Sequence, residues 1–166
     1  MVLLVVINTS AQKTRKFSAN IDFHINNTIY DRTASNNATG FGVALQGILH
    51  TASKFSPTIE MAGDVYGGTK VMYFTASGEP IYAKSGVATV MGGTLYRVTS
   101  KVNVGGLLGA GSFNDESYFA IKPSLNFQLF NNKVIAKMAW ANIFQKDHIS
   151  DQSFGYLSFA VGVKLF

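Results

Sequence analysis

The chain has 166 residues, of which 47% are hydrophobic and only 14% charged, with a formal net charge of +5. One domain is expected, and so little charge does not fit a water-facing enzyme, since soluble domains average roughly 25%. The cations are scattered apart from Lys13, Arg15 and Lys16, which argues against nucleic-acid binding, and the lack of cysteine excludes disulfides and thiolate metal sites.

Residues 1–11 read as the end of a secretory signal peptide. Apolar residues 2–7 lead into Thr9-Ser10-Ala11, a small-x-small cleavage pattern, although no basic region precedes them. A mature domain over 12–166 follows. The longest apolar run of the whole chain, residues 2–7, is far short of the ~20 residues of a membrane-crossing helix, so any membrane residence must come from strands.

A period near two dominates the rest. The first strand sets Phe17, Ala19, Ile21, Phe23 and Ile25 against Ser18, Asn20, Asp22, His24 and Asn26. The second sets Phe41, Val43, Leu45 and Leu49 against Gly42, Ala44, Gln46 and His50. The third sets Ile59, Met61 and Val65 against Glu60, Ala62 and Asp64. A fourth lies within 81–98 with no clear phase. The fifth has Val102, Val104, Leu108 and Ala110 opposite Asn103, Gly105, Gly109 and Gly111. The sixth has Phe119, Ile121, Leu125 and Phe127 opposite Lys122, Ser124, Asn126 and Gln128. The seventh sets Val134, Ala136, Met138 and Trp140 against Lys137, Ala139 and Ala141. The eighth alternates Leu157, Phe159, Val161, Val163 and Leu165 with Tyr156, Ser158, Ala160, Gly162 and Lys164, and stops on Phe166.

The odd-numbered connections read as longer than the even-numbered ones, with the longest over 66–82. Asn131-Asn132 suits a tight turn, because asparagine tolerates positive φ. Long loops on one side and short turns on the other are the pattern of a transmembrane barrel. The expected fold is all-β: a closed, antiparallel, up-and-down, eight-stranded transmembrane barrel.

Two features favour apolar side chains facing lipid over a ligand-filled interior. The other face is built mostly of Gly, Ala, Ser, Asn and Thr, which suits a narrow lumen. Aromatics gather near strand ends (Phe17, Phe41, Phe55, Tyr96, Phe113, Tyr118, Phe119, Phe130, Trp140, Phe144 and Phe154), as in interfacial girdles.

On these grounds 12–166 resembles the small Gram-negative outer-membrane β-barrel proteins of the eight-stranded OmpA/OmpX-like kind. The resemblance rests on architecture and on the closing strand, with no internal motif. It implies residence in the outer membrane among its lipids and lipopolysaccharide, and delivery by the barrel-assembly machinery. It also implies that Phe166 serves as the assembly signal, although Phe166 shares its phase with Lys164 and Gly162 rather than with the greasy set.

Inside such a barrel, Asp22, His24, His50, Glu60, Asp64, Lys122, Lys137 and Lys164 are expected to form a polar plug, because isolated buried charges are very costly. His24, His50 and Asp22 offer metal-ligand chemistry, but lumen hydrogen bonding is the plainer reading, and no metal or cofactor is expected. His148-Ile149-Ser150 resembles the His-x-Ser pair of outer-membrane lipid A deacylases. No carboxylate follows Asp151 to orient the base, so no catalysis is expected. The glycine-rich stretch 105–111 lacks the Lys-Ser/Thr of a phosphate loop. Function is expected to be structural or surface-binding, for an unknown ligand, with Tyr73, Phe74 and Tyr82 of the longest loop as the candidate surface. The alternatives are a soluble lipocalin-like barrel around an apolar ligand and a lipid A-modifying enzyme.

Overall fold

Ten strands follow one another in the computed structural model, which describes residues 16–30, 37–68, 71–74, 77–78, 80–82, 85–113, 116–130, 133–145 and 153–165. They are β1 (Lys16–Thr28), β2 (Thr39–His50), β3 (Phe55–Tyr66), β4 (Val71–Phe74), β5 (Pro80–Tyr82), β6 (Ser85–Arg97), β7 (Val102–Phe113), β8 (Glu116–Leu129), β9 (Val134–Ile143) and β10 (Phe154–Lys164). Eight of them close into one antiparallel barrel in the order β1-β10-β9-β8-β7-β6-β3-β2. The expected signal remnant (1–11), Phe166, His148 and Ser150 lie outside the described residues.

Closure is the solution that period-two segments find when no sheet edge can be left unpaired. Val163 pairs with Ile21 of β1, so the last strand completes the first and every barrel strand has two neighbours. The barrel strands run from 10 residues in β9 to 14 in β8, enough to cross a bilayer when tilted. Among the described residues no helix is long and apolar enough to do so.

Side-chain direction decides what surrounds the barrel. Along β3 every residue from Phe55 to Tyr66 alternates strictly, exposed then buried. Phe41, Ile59, Val65 and Leu108 are exposed by 63%, 55%, 58% and 58%, while Asp22 and Glu60 are exposed by 1% each. A soluble barrel binding an apolar ligand requires the reverse arrangement. The outer wall is therefore a lipid-facing surface, bounded by aromatics at both ends. Phe55 and Tyr96 pack in a tilted pair with ring centroids 5.0 Å apart at the short-turn end, and Phe119 and Phe144 do so at 5.7 Å at the other.

Two sequence expectations change. The link after β7 is not long: β7 and β8 extend until Phe113 pairs with Glu116, leaving only 114–115 between them, because Ser112 and Ser117 continue the ladder. The 66–82 segment is not a bare loop, since β4 and β5 pair within it as a separate two-stranded ribbon. The expected turn pair Asn131-Asn132 lies outside the described residues, and Phe130 just before it takes a positive φ of 45°, a conformation more often given to asparagine or glycine.

Candidate functional site

The lumen has three levels, each assembled from residues far apart in sequence. At the loop end sits an apolar cap. Phe154 meets Phe113 at 4.5 Å and Tyr66 at 4.9 Å, and Tyr156, Val87, Met91, Leu107 and Ile143 are buried with them. This corrects the reading of Phe154 and Phe113 as girdle aromatics. Phe154 precedes Tyr156 by two residues on β10, so it shares the inward phase and is fully buried. The cap is also the part of the interior that the polar-face reading missed. Its traces in sequence are the broken alternation Val87-Ala88-Thr89-Val90-Met91 and the adjacent pair Leu107-Leu108. Tyr30, just beyond β1, donates from its hydroxyl to Asn142 Oδ1 at 2.8 Å, and burial raises its pKa. The neutral hydroxyl is the form that fits. Its contribution is complete below the ordinary tyrosine value of about 10 and fades as pH rises through the raised value.

The middle level is ionic. Glu60 on β3 accepts from Lys122 Nζ on β8 at 2.6 Å, from Lys137 Nζ on β9 at 3.0 Å and from Gln46 Nε2 on β2 at 3.0 Å. Lys137 Nζ also donates to Asp22 Oδ2 at 2.5 Å. Two carboxylates and two ammonium groups thus neutralise each other across a lumen only about one side chain wide. Above them Asp64 Oδ1 lies 2.5 Å from His24 Nε2 and accepts from Asn26 Nδ2 at 2.6 Å.

The carboxylates stand over glycines of the neighbouring strand. Gly42 pairs with Asp64 and Gly162 with Asp22, and a methyl group at either position would collide with the carboxylate oxygen Oδ1. Gly63 faces outward with nothing near it. Gly162→Ala is therefore expected to displace Asp22 from Lys137 and lower stability by about 1–3 kcal/mol, whereas Gly63→Ala leaves the urea midpoint of the refolded barrel unchanged.

The third level, at the short-turn end, is an open cavity of about 570 Å³. His50 and Lys164 line it and do not join the ionic network. His50 Nε2 instead meets Ser18 Oγ at 2.7 Å. The six residues Asp22, His24, Glu60, Asp64, Lys122 and Lys137 are brought together in the middle level, and His50 and Lys164 stand apart below it. Among the described residues no group of three or more His, Asp or Glu could hold a metal ion. Tyr73, Phe74 and Tyr82 fall on the β4–β5 ribbon, where Tyr73 pairs with Ile81 and Val71 with Tyr82. Their side chains lie outside the described residues.

No family model matches this chain, and no curated protein does. Solved structures do. The chain is similar to the Yersinia pestis outer-membrane protein Ail, crystallised in complex with the heparin analogue sucrose octasulfate: TM-score 0.62, 15% identity, 91% of this chain and 99% of that one. Ail in a phospholipid bilayer nanodisc gives 0.59 at 14% identity, over 90% and 100% of the two chains. A de novo designed transmembrane β-barrel gives 0.52 at 7% identity, over 89% and 95%. At such identities the likeness is one of fold: the eight-stranded barrel of small outer-membrane proteins, adopted equally by a designed sequence.

Proposed function

We propose that the protein is an integral outer-membrane barrel with a structural or surface-binding role, carried by the segments at its loop end and without catalysis. The observation behind this reading is the combination of an apolar outer wall with a lumen closed by the aromatic cap and the Glu60–Lys122–Lys137–Asp22 network. A lumen so filled offers no wide aqueous path, which leaves the exterior segments as the variable part of the molecule. In this reading the wall contacts outer-membrane lipids and lipopolysaccharide, and the barrel-assembly machinery inserts the chain.

The surface ligand follows from composition. The loop-end segments hold Asp31, Glu79, Asp115, Glu116, Asp147 and Asp151 against Arg32, Lys70, Lys84 and Lys146. A sulfated polyanion, the kind of ligand seen with Ail, would meet an acidic excess there. The β4–β5 ribbon offers aromatic residues instead, Tyr73, Phe74 and Tyr82, suited to an uncharged or cationic partner.

The lack of cysteine makes the topology directly testable. With Ser77→Cys in the ribbon segment and Ala52→Cys in the β2–β3 turn, a membrane-impermeant maleimide should label only the first on intact cells. Both should react after permeabilisation. Labelling of Ala52→Cys alone on intact cells would invert the barrel and remove the surface role. Purified barrel in a planar bilayer should show no large steady conductance, and a porin-sized current would show that the lumen is open.

A further inference from the structure

We propose that the cavity at the short-turn end is a binding site for a phosphate-bearing anion. It is built like one. Its wall carries the guanidinium of Arg97, the ammonium of Lys164 and the imidazole of His50, together with the amides of Asn20, Asn103 and Asn126, and no Asp or Glu lines it. Lys164, Arg97 and His50 line the same cavity of about 570 Å³. Among the described residues, neither Arg97 nor Lys164 makes an ion pair. Cations brought together without a counter-charge repel one another, and a bound anion removes that cost.

A second observation points the same way. Asn20 is 1% exposed and lines the cavity, yet neither its Nδ2 nor its Oδ1 has a partner. Buried amides are almost always satisfied, and one facing a cavity offers its donor and acceptor to whatever water or ligand fills that cavity. Asn126, 3% exposed, is similarly left with an unpartnered Oδ1.

The charge of the whole molecule supports this. Lys54, Arg97, Lys101, Lys133 and Lys164 all lie in or beside the short turns, and Lys16 begins β1 at the same end. Six of the eight Lys and Arg among the described residues are thus gathered there. Among the described residues, every Asp and Glu lies either in the lumen (Asp22, Glu60 and Asp64) or at the opposite end (Glu116). Such a field concentrates anions at the cavity mouth. A tetrahedral oxyanion with several acceptors matches a forked guanidinium, an ammonium and amide donors. The same chemistry is offered by free phosphate and by the headgroup of an anionic phospholipid, and the cavity's apolar walls, Ile48, Leu95 and Ile135, accommodate either.

The test uses the full chain refolded in zwitterionic detergent and titrated calorimetrically with inorganic phosphate or with dihexanoyl phosphatidylglycerol. Saturable one-to-one binding is expected for at least one probe. Binding of phosphate assigns the free ion, and binding of the lipid alone assigns the headgroup. Arg97→Gln and Lys164→Gln should each weaken binding about tenfold or more, the worth of one charge-assisted hydrogen bond. Asn20→Asp should abolish binding by placing a carboxylate in the cavity. Lys54→Gln, in the same basic belt but outside the cavity, should leave affinity unchanged. Heat-modified gel mobility verifies that each variant folds. Binding of neither probe, or equal weakening by Lys54→Gln and Arg97→Gln, would overturn the site. Because the titration is done in detergent, its outcome is independent of which way the barrel faces in a cell.

Discussion

Replacing Glu60 with alanine is expected to lower barrel stability by about 3–5 kcal/mol, visible as a lower urea midpoint and as loss of the compact, unheated gel band at milder temperature. Glu60 is the one carboxylate that Lys122 meets, at 2.6 Å, and the second that Lys137 meets. Its removal leaves the Lys122 ammonium, 3% exposed, without a counter-charge in a lumen too narrow to hydrate it freely. Lys137 keeps Asp22 at 2.5 Å, so Lys122 bears most of the effect. The double variant Glu60→Ala/Lys122→Met should recover much of the loss, because removing both charges also removes the desolvation cost of each. An unchanged midpoint in Glu60→Ala would show that water, and not ion pairing, balances these charges.

The second large effect concerns the outer wall. Met61→Arg is expected to destabilise the barrel in lipid by about 2–4 kcal/mol, while Phe55→Arg at the strand end costs about 0–1. Met61 lies mid-way along β3 and is 55% exposed, and Phe55 is its first residue, 54% exposed. Exposure is the same, so only depth in hydrocarbon distinguishes the two. In a water-soluble barrel both substitutions would be nearly neutral. Refolding into vesicles and measuring the denaturant midpoint separates the cases: equal effects at the two positions contradict a membrane-spanning wall.

Much of this architecture is legible along the chain because strand periodicity is local. The phases of β1, β2, β3 and β10 follow from alternation alone, and Asp22, Glu60, Asp64 and Lys137 fall on the inward face by counting. The fourth barrel strand was not legible in that way. β6 turns Val87, Met91 and Leu95 inward and Val90 outward, so both faces are partly apolar and the period vanishes. The aromatic cap was hidden for a related reason: Phe154 resembles any other aromatic at a strand end until its phase is tied to Tyr156.

Grouping was less legible than phase. His50 and Lys164 share the inward phase with Glu60, yet lie at the ends of their strands and line the cavity below the ionic network. Asp22 sits two residues from His24 and bonds Lys137, whereas His24 bonds Asp64 of β3. Nothing within β1 separates these two partnerships. Nor does the net charge of +5 disclose that, among the described residues, most cations gather at one end and the acids at the middle and the other, since that follows from which turns face which side.

The sequence alone pointed to this protein's class: eight alternating segments with a greasy face, sparse charge and small lumen residues fit a membrane barrel better than a soluble one. Hydrogen bonding within lipid demands closure, and side-chain alternation needs no distant information. The tertiary structure alone decided which lysine meets which carboxylate, which aromatics turn inward to seal the loop end, and where the unpaired cations collect. Those outcomes depend on the stagger of eight strands around a shared axis, a non-local quantity that sets the height of each inward side chain and so its company in the lumen.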